Sequence, residues 1–323
     1  MPVEWHRHGI RLIGSTLFFD AVRKTELSFV SHAHRDHIAR HACVVATKET
    51  LALVNHRLGP IDRPLPAPYF RPFELGPLNL ELLPAGHVLG SAQLRVITAD
   101  GTRVVFTGDL NTERSLTAEP CAVAECDTLV IESTFGHPRF KFPPRARVLD
   151  DIERWIRARQ AEGRRPVLFA YALGKAQEIV GELSTRGFRV VAHPDVFAVS
   201  QLYESFGVAQ GARKFEGEMA VEEVGVFPPF AKSYSHRHLE NCATAVLTGW
   251  AMDAAAVQRY RTDAAFPLSD HADAEALVRY AKATGAQRVV THHGFADELA
   301  AELNRAGIQA QPVDKRVQLS LAL

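Results

Sequence analysis

The chain has 323 residues, more than one average domain, so two domains or one domain carrying a large insertion are expected. Lys plus Arg and Asp plus Glu both total 37, which removes any global electrostatic case for nucleic acid and leaves only a local basic surface to look for; 46% hydrophobic residues are ample for a packed core. Cys43, Cys121, Cys126 and Cys242 show no C-x-x-C spacing and read as small apolar residues in a reducing compartment, and neither a signal-length apolar start nor 18 consecutive apolar residues occurs, so a cytoplasmic protein without a membrane span is expected.

From about Gly9 to Glu132 short β-rich runs dominate. Thr16 to Phe19 comes first, then Leu27 to Val30, an apolar run that reads as a buried strand. Directly after it stands Ser-His-Ala-His-Arg-Asp-His-Ile, residues 31–38, which packs His32, His34, Asp36 and His37 into six residues. A strand followed by a turn fans alternate side chains into one pocket, and imidazoles with a carboxylate suit zinc, manganese or iron. Four ligands from one loop exceed what one catalytic metal needs there, which favours two metals. Strands follow at Cys43 to Ala46 and Leu78 to Leu83, and Ala92 to Thr98 turns through Asp100-Gly101 into Arg103 to Thr107, a strong hairpin signal. His87 and Asp109 sit just after two of these strands, each preceded by a glycine, Gly86 and Gly108, that would let backbone and metal approach closely.

From about Arg139 to Thr262 the texture changes to strand, helix, strand, helix. Val148, Ile152, Trp155 and Ile156 recur at helical spacing, Pro166 to Tyr171 reads as a buried strand, and Ala176 to Leu183 as the next helix. Beyond Phe266 a Ser-Asp-His loop carrying His271 leads into a helix over Asp273 to Thr284, with Asp270 expected as its cap. A strand at Arg288 to Thr291, the dipeptide His292-His293 before Gly294, a helix at Ala296 to Ala306 and a strand near Ile308 to Val313 complete the chain. Adjacent strand side chains diverge, so only one of His292 and His293 should ligate directly.

The residues His32 to His37, His87, Asp109 and His293-Gly294, with Asp20 closing Leu-Phe-Phe-Asp, resemble the successive motifs of the metallo-β-lactamase fold. Ile131 to Gly136, Tyr171 to Glu178 and Leu268 to Asp273 are similar to the β-CASP nuclease branch. With Pro84 to Gln93 and Thr248-Gly249-Trp250 they resemble the bacterial ligase-associated DNA exonuclease group, across almost the entire chain. The resemblance implies an α/β fold, a metallo-β-lactamase αββα sandwich over residues 1–138 and 263–323, with an inserted α/β β-CASP domain over 139–262. It implies two divalent metal ions, zinc favoured and manganese allowed: His32, His34 and His87 on one, Asp36, His37 and His293 on the other, Asp109 bridging, and His292 beside them as a supporting or phosphate contact. A hydroxide between the metals would attack an in-line phosphodiester, with Asp36, Glu132 and His271 as catalytic residues, Glu132 orienting His271 and His271 protonating the departing oxygen. Ser133, Thr134, Gly174 and Lys175 are the expected phosphate contacts, the last two because a helix N-terminus with a lysine suits an anion.

Between Arg139 and Lys214 there are 14 Lys or Arg against 8 Asp or Glu, so the inserted region is expected to form a basic wall facing phosphates. The expected partner is nucleic acid, single-stranded DNA ahead of RNA, with a functional association with a DNA ligase and no membrane. His293 itself argues the other way, being typical of RNA-acting members, so an RNA-processing nuclease stays open. A lactonase- or thioesterase-type small-molecule hydrolase would share the first histidine cluster without needing residues 139–262. His6, His8, His41, His56, His137, His193, His236 and His238 lack any ligand-like context and read as surface or hydrogen-bonded histidines.

Overall fold

The computed structural model of the chain describes residues 2–231 and 241–313; His236 and His238 lie outside them. Of the described residues, 2–114, 118–140 and 271–313 form one compact unit, and 115–117, 141–231 and 241–270 a second.

In the first unit, strands β1 (Val3–His6), β2 (Gly9–Leu12), β3 (Leu17–Phe19), β4 (Leu27–Phe29), β5 (Cys43–Ala46) and β6 (Arg63–Pro66) form a six-stranded sheet in chain order. Helix α1 (Lys48–Leu58) joins β5 to β6. Sequence patterning predicts only strands here and misses both α1 and the β1–β2 hairpin. The helix had a legible start, since the Thr47 side chain accepts the Thr50 N–H as an N-cap ahead of buried Leu51, Leu53 and Val54. The hairpin turns at Arg7-His8, which carries no Asn-Gly or Asp-Gly signature.

Next come β7 (Phe73–Leu75), β8 (Leu78–Pro84), β9 (Ala92–Ile97), β10 (Arg103–Phe106) and β11 (Thr128–Glu132). The second unit then supplies α2 (Arg145–Ala161), β12 (Arg165–Phe169), α3 (Lys175–Thr185), β13 (Arg189–Ala192), α4 (Pro194–Ser205), β14 (Ala212–Lys214), β15 (Glu223–Phe227), β16 (Cys242–Leu247), α5 (Ala256–Tyr260) and β17 (Ala264–Phe266). Its six strands form one parallel sheet in the order β14-β13-β15-β12-β16-β17, as strand–helix alternation requires. Pairing of β17 with β16 carries this unit on to Asp270, past the 139–262 span expected from sequence. The chain returns to the first unit through α6 (Ala274–Ala283), β18 (Arg288–His292), α7 (Ala296–Arg305) and β19 (Gln309–Pro312).

The second sheet of the first unit runs β19-β18-β11-β10-β9-β8-β7 and is buried on both faces. Leu80, Leu82, Val104, Phe106, Val130 and Val290 point toward the six-stranded sheet, packing with Phe19, Phe29 and Val45. Their neighbours Leu83, Val105, Leu129, Ile131 and Val289 point the other way, onto Leu277 and Tyr280 of α6 and Leu299 and Leu303 of α7. A strand with two dry faces needs no polar alternation, which is why these runs are continuously apolar. The arrangement also fixes direction. Strands β10, β11 and β18 are mutually parallel, and β8 shares their direction because both β8 and β10 run antiparallel to β9. The C-terminal ends of β8, β10, β11 and β18 therefore share one edge, and His87, Asp109, Glu132 and His293 all stand at or just beyond it.

The two glycines ahead of His87 and Asp109 are required by protein contacts. Gly86 has φ +80° and a Cβ there would lie 2.0 Å from the Asn111 carbonyl oxygen; Gly108 has φ +57° and its Cβ would lie 2.4 Å from Ser31 Oγ. Gly86→Ala is expected to cost about 2 kcal/mol or more, through strain at positive φ added to a backbone clash. A urea midpoint unchanged within error would refute this.

Candidate metal centre

The first loop is organised by Asp20. Its Oδ1 accepts the Ser31 N–H at 2.7 Å, and its Oδ2 accepts Ser31 Oγ–H at 2.5 Å and faces His37 Nδ1 at 2.8 Å. Ser31 Oγ in turn lies 2.9 Å from His32 Nδ1. Because the serine proton goes to Asp20, Oγ must accept from His32 Nδ1–H, and His37 Nδ1–H donates to Asp20 directly. This network places a proton on each Nδ1 and turns the Nε2 atoms of His32 and His37 inward, the orientation a metal ligand needs. The Asp20 backbone sits at φ 45°, a left-handed conformation held by these bonds.

Three imidazole nitrogens then meet at one point. His34 Nδ1 lies 3.0 Å from His32 Nε2 and 3.1 Å from His87 Nε2, and Asp109 Oδ2 is 3.4 Å from His32 Nε2 and 3.7 Å from His87 Nε2. All four ligand atoms fall within 4.8 Å of one another. Three imidazole nitrogens converging with a carboxylate make an N₃O donor set that zinc or manganese accepts. The electrostatics agree. Burial, then His37, His87 and His34, hold the His32 imidazole well below its ordinary value, in the neutral form that ligates. Burial pushes Asp109 up to about 7 despite His37 and His271 nearby, so its charge is under-compensated by the protein alone.

A second group, His37, Asp109 and His293, converges in the same way, sharing Asp109. Its His37 Nε2 lies 3.4 Å from Asp109 Oδ2. Burial disfavours the His37 charge, but Asp109 and Asp20 outweigh it and raise the imidazole to about 10, so a cation binding here must displace a proton. Asp36, expected as a full ligand of this group, stands at its rim, with its side chain 73% exposed and Oδ2 3.8 Å from His37 Nε2. Of the two adjacent histidines, His293 turns into the group at φ 60°. His292 is buried in β18 and stacked on Phe106 at 5.2 Å, so packing against that ring occupies it where a phosphate contact was expected.

Beside these groups lies a carboxylate–histidine pair. Glu132, fully buried at the end of β11, accepts the Leu110 N–H at 2.7 Å and, through its other oxygen, the Thr134 N–H at 3.1 Å. His271 Nδ1 approaches Glu132 Oε1 at 3.0 Å, leaving Nε2 directed inward, 3.9 Å from Asp109 Oδ2. Burial alone would push the Glu132 carboxyl up; His271 and these N–H donors overcome it and hold it at about 2. Glu132 is thus held as the carboxylate and fixes one proton on His271 Nδ1.

The expected phosphate contacts fare less well. Lys175 is buried, with Nζ 2.8 Å from Asp270 Oδ1, and the Gly174 N–H is taken by Gln177 Oε1 at 2.8 Å. Ser133 is fully buried and the Thr134 N–H belongs to Glu132. Asp270 does not cap α6; Asp273 does, accepting the Ala276 N–H at 2.9 Å. The basic wall also dissolves. Arg154 pairs with Asp151, Arg157 with Glu153, Arg159 with Glu162, Arg186 with Asp150, and Arg213 with Glu223. Residues 141–270 as a whole hold 17 Lys or Arg against 16 Asp or Glu, because the acidic stretch after Lys214 offsets the excess before it. Outside the site, His41 is buried with Nδ1 3.0 Å from Thr25 Oγ1, and His193 caps α4, as hydrogen-bonded histidines do. All four cysteines are free thiols.

No family model matches the chain. Over 319 residues, 98% of its length, it is 38% identical to a "Probable DNA ligase" of Opitutus terrae, the aligned part being 31% of that protein. It is 35% identical over 98 residues to an RNase J-like protein of Methanocaldococcus jannaschii, covering 30% of this chain and 23% of that one, and 33% identical over 136 residues to Endoribonuclease YSH1 of Eremothecium gossypii, covering 42% and 16%. Its homologues include nucleases. The chain spans less than a third of the length of each of these three relatives. Among solved structures, a protein of unknown function from Enterococcus faecalis V583 superposes with a TM-score of 0.61 at 15% identity, over 90% of this chain and 79% of that one, a likeness of fold. No described helix is long and apolar enough to cross a membrane.

Proposed function

We propose that this chain is a β-CASP member of the metallo-β-lactamase superfamily that hydrolyses phosphodiester bonds in DNA, as an exonuclease on single strands or ends in repair. The observation that carries the DNA reading is the alignment of nearly the whole chain with about a third of a polypeptide named a probable DNA ligase. A trimming activity joined to a sealing one would act on the same ends. His32, His34, His87 and Asp109 would hold one divalent cation, and His37, Asp109 and His293, with Asp36 at the rim, a second. When bound, such a pair supplies Lewis acidity toward phosphate oxygens and lowers the pKa of water.

The rest falls to the protein's own groups. Glu132 keeps the His271 ring in one orientation and tautomer, and a proton on His271 Nε2 is directed at the centre, where it can pass to the departing oxygen. Asp20 and Ser31 hold the His32 and His37 rings against rotation, so the phosphate meets a preorganised charge distribution and little must reorganise during reaction. An RNA substrate is the second reading, favoured by the ribonuclease names of several relatives.

The purified protein, stripped with a chelator and reloaded with zinc or manganese, is to be incubated with matched end-labelled DNA and RNA single strands. The expected outcome is mononucleotide release from DNA, lost on chelation and restored by metal, with thermal stability falling by about 3 kcal/mol on stripping if the metal had been at about a hundred times its Kd. Cleavage of RNA alone would overturn the DNA assignment, and metal-independent cleavage would overturn the site.

A further inference from the structure

The basic surface that the inserted region lacks is found on the first unit. Hairpin β1–β2 pairs Trp5 with Ile10 and His6 with Gly9, so it turns at Arg7-His8. The His8 carbonyl accepts the Val22 N–H at 3.1 Å, which ties that turn to the loop after β3. A cleft lined in part by Trp5, Gly9, Ile10, Val22, Asp36 and His293 joins the hairpin to the His37, Asp109 and His293 group, all within the first unit. Its walls are largely apolar and its sequence neighbours cationic. Trp5 is half-buried and packs on the core cluster that includes Ile10, while Val22 is 53% exposed. Arg7, Arg23, Lys24 and Arg35 each stand within two positions of a lining residue, are exposed, and form no ion pair among the described residues. Apart from Asp36, the carboxylates of this stretch are already engaged: Glu4 accepts the Arg11 Nε–H at 3.0 Å, Asp20 holds Ser31 and His37, and Glu26 is 3.8 Å from Arg63.

A single nucleic-acid strand offers the matching alternation, planar bases with apolar faces between phosphates, and exposed cations bind it by releasing its counterions. A lipid surface would have no need of continuity with a metal centre. The cleft holds about 100 Å³, less than the roughly 150 Å³ that encloses benzene, so a base would lie across its mouth, against Trp5 and Val22, without sinking in. We propose that the β1–β2 hairpin and residues 22–24 form the path of the substrate strand beside the metal centre, with Trp5 and Val22 under one base and Arg7, Arg23, Lys24 and Arg35 on the flanking phosphates. This rests on the phosphodiesterase reading, and it deepens that reading by naming the surface that carries the strand.

The test uses the metal-loaded protein and two substrates, a single-stranded DNA oligonucleotide and bis-p-nitrophenyl phosphate, which has a scissile phosphodiester but neither base nor strand. Combining Arg7→Gln, Arg23→Gln and Lys24→Gln is expected to raise KM for the oligonucleotide by about 10-fold or more at low salt. The fall of log kcat/KM with log salt should become shallower by about 2, from about 0.7 for each phosphate contact removed from a single strand. Trp5→Leu, which keeps an apolar side chain on the core, should raise KM by about fivefold or more and leave the salt slope as it is, because stacking carries no charge. In both variants, metal content and turnover of bis-p-nitrophenyl phosphate should match wild type. Unchanged KM and slope in the triple variant, or equal losses on both substrates, would overturn the path, and an unchanged KM in Trp5→Leu would overturn its base contact. Wild-type protein that turns over bis-p-nitrophenyl phosphate alone would leave the phosphodiesterase reading standing and overturn the path. Wild-type protein inert on both would overturn that reading, and the inference with it.

Discussion

Asp109→Asn is expected to lower turnover by about 10³-fold or more and to remove metal from the protein, and no other single change should do as much at so little cost in fold. Asp109 is the one residue common to both convergent groups, with Oδ2 3.4 Å from His32 Nε2, 3.4 Å from His37 Nε2 and 3.7 Å from His87 Nε2. Asparagine matches its shape but brings no charge, so two cations would face each other with the anion between them gone. Lewis-acid stabilisation is worth several kcal/mol and each 1.36 kcal/mol is tenfold in rate, which gives the 10³ figure. Metal content by plasma mass spectrometry, beside kcat, checks it. A variant that keeps two metals and a tenth of its turnover would show that Asp109 is not shared.

His271→Ala should behave differently. It should keep its metals, because Glu132 engages its Nδ1 at 3.0 Å and its Nε2 stands 3.9 Å from Asp109 Oδ2. Turnover on an oligonucleotide should fall by about 10²- to 10⁴-fold, the usual reach of general acid catalysis. On a p-nitrophenyl ester of thymidine 5′-phosphate, whose phenolate departs without a proton, the loss should nearly vanish. Glu132→Gln should reproduce part of the loss, since a glutamine amide can present its N–H to His271 and hold the wrong tautomer. Loss of metal in His271→Ala, or an equal loss on both esters, would move His271 from the acid to the ligands.

Much of the site was legible because chemistry-bearing residues were concentrated in short loops after apolar runs. Residues 31–38, His87, Asp109, His271 and His293 are identifiable from composition and position, and Glu132 only through the resemblance carried by Ile131 to Gly136; the shared direction of β8, β10, β11 and β18 brings His87, Asp109, Glu132 and His293 to one edge. What sequence concealed was pairing. Lys175 looks like an anion ligand until its carboxylate partner, distant in sequence, is known, and the same holds for the arginines of α2, whose counter-ions lie on α2, on α3 and in the loops. Asp270 and Asp273 offer equivalent capping chemistry three residues apart, and only the backbone decides between them. The β1–β2 hairpin had no turn signature, and α1 was hidden because its apolar residues sit among β-rich neighbours.

The pairing of β11 with β18, which sets Glu132 opposite His292, spans residues 141–270 of the second unit. During synthesis, the ribosome must release that unit before His271 and His293 exist to join Asp109 and Glu132. A nascent chain therefore carries a half-built centre that has His32, His34 and His87 but not His271 or His293, and the proposed activity would arise only once β18 has found its place. The order of the chain is its own safety catch.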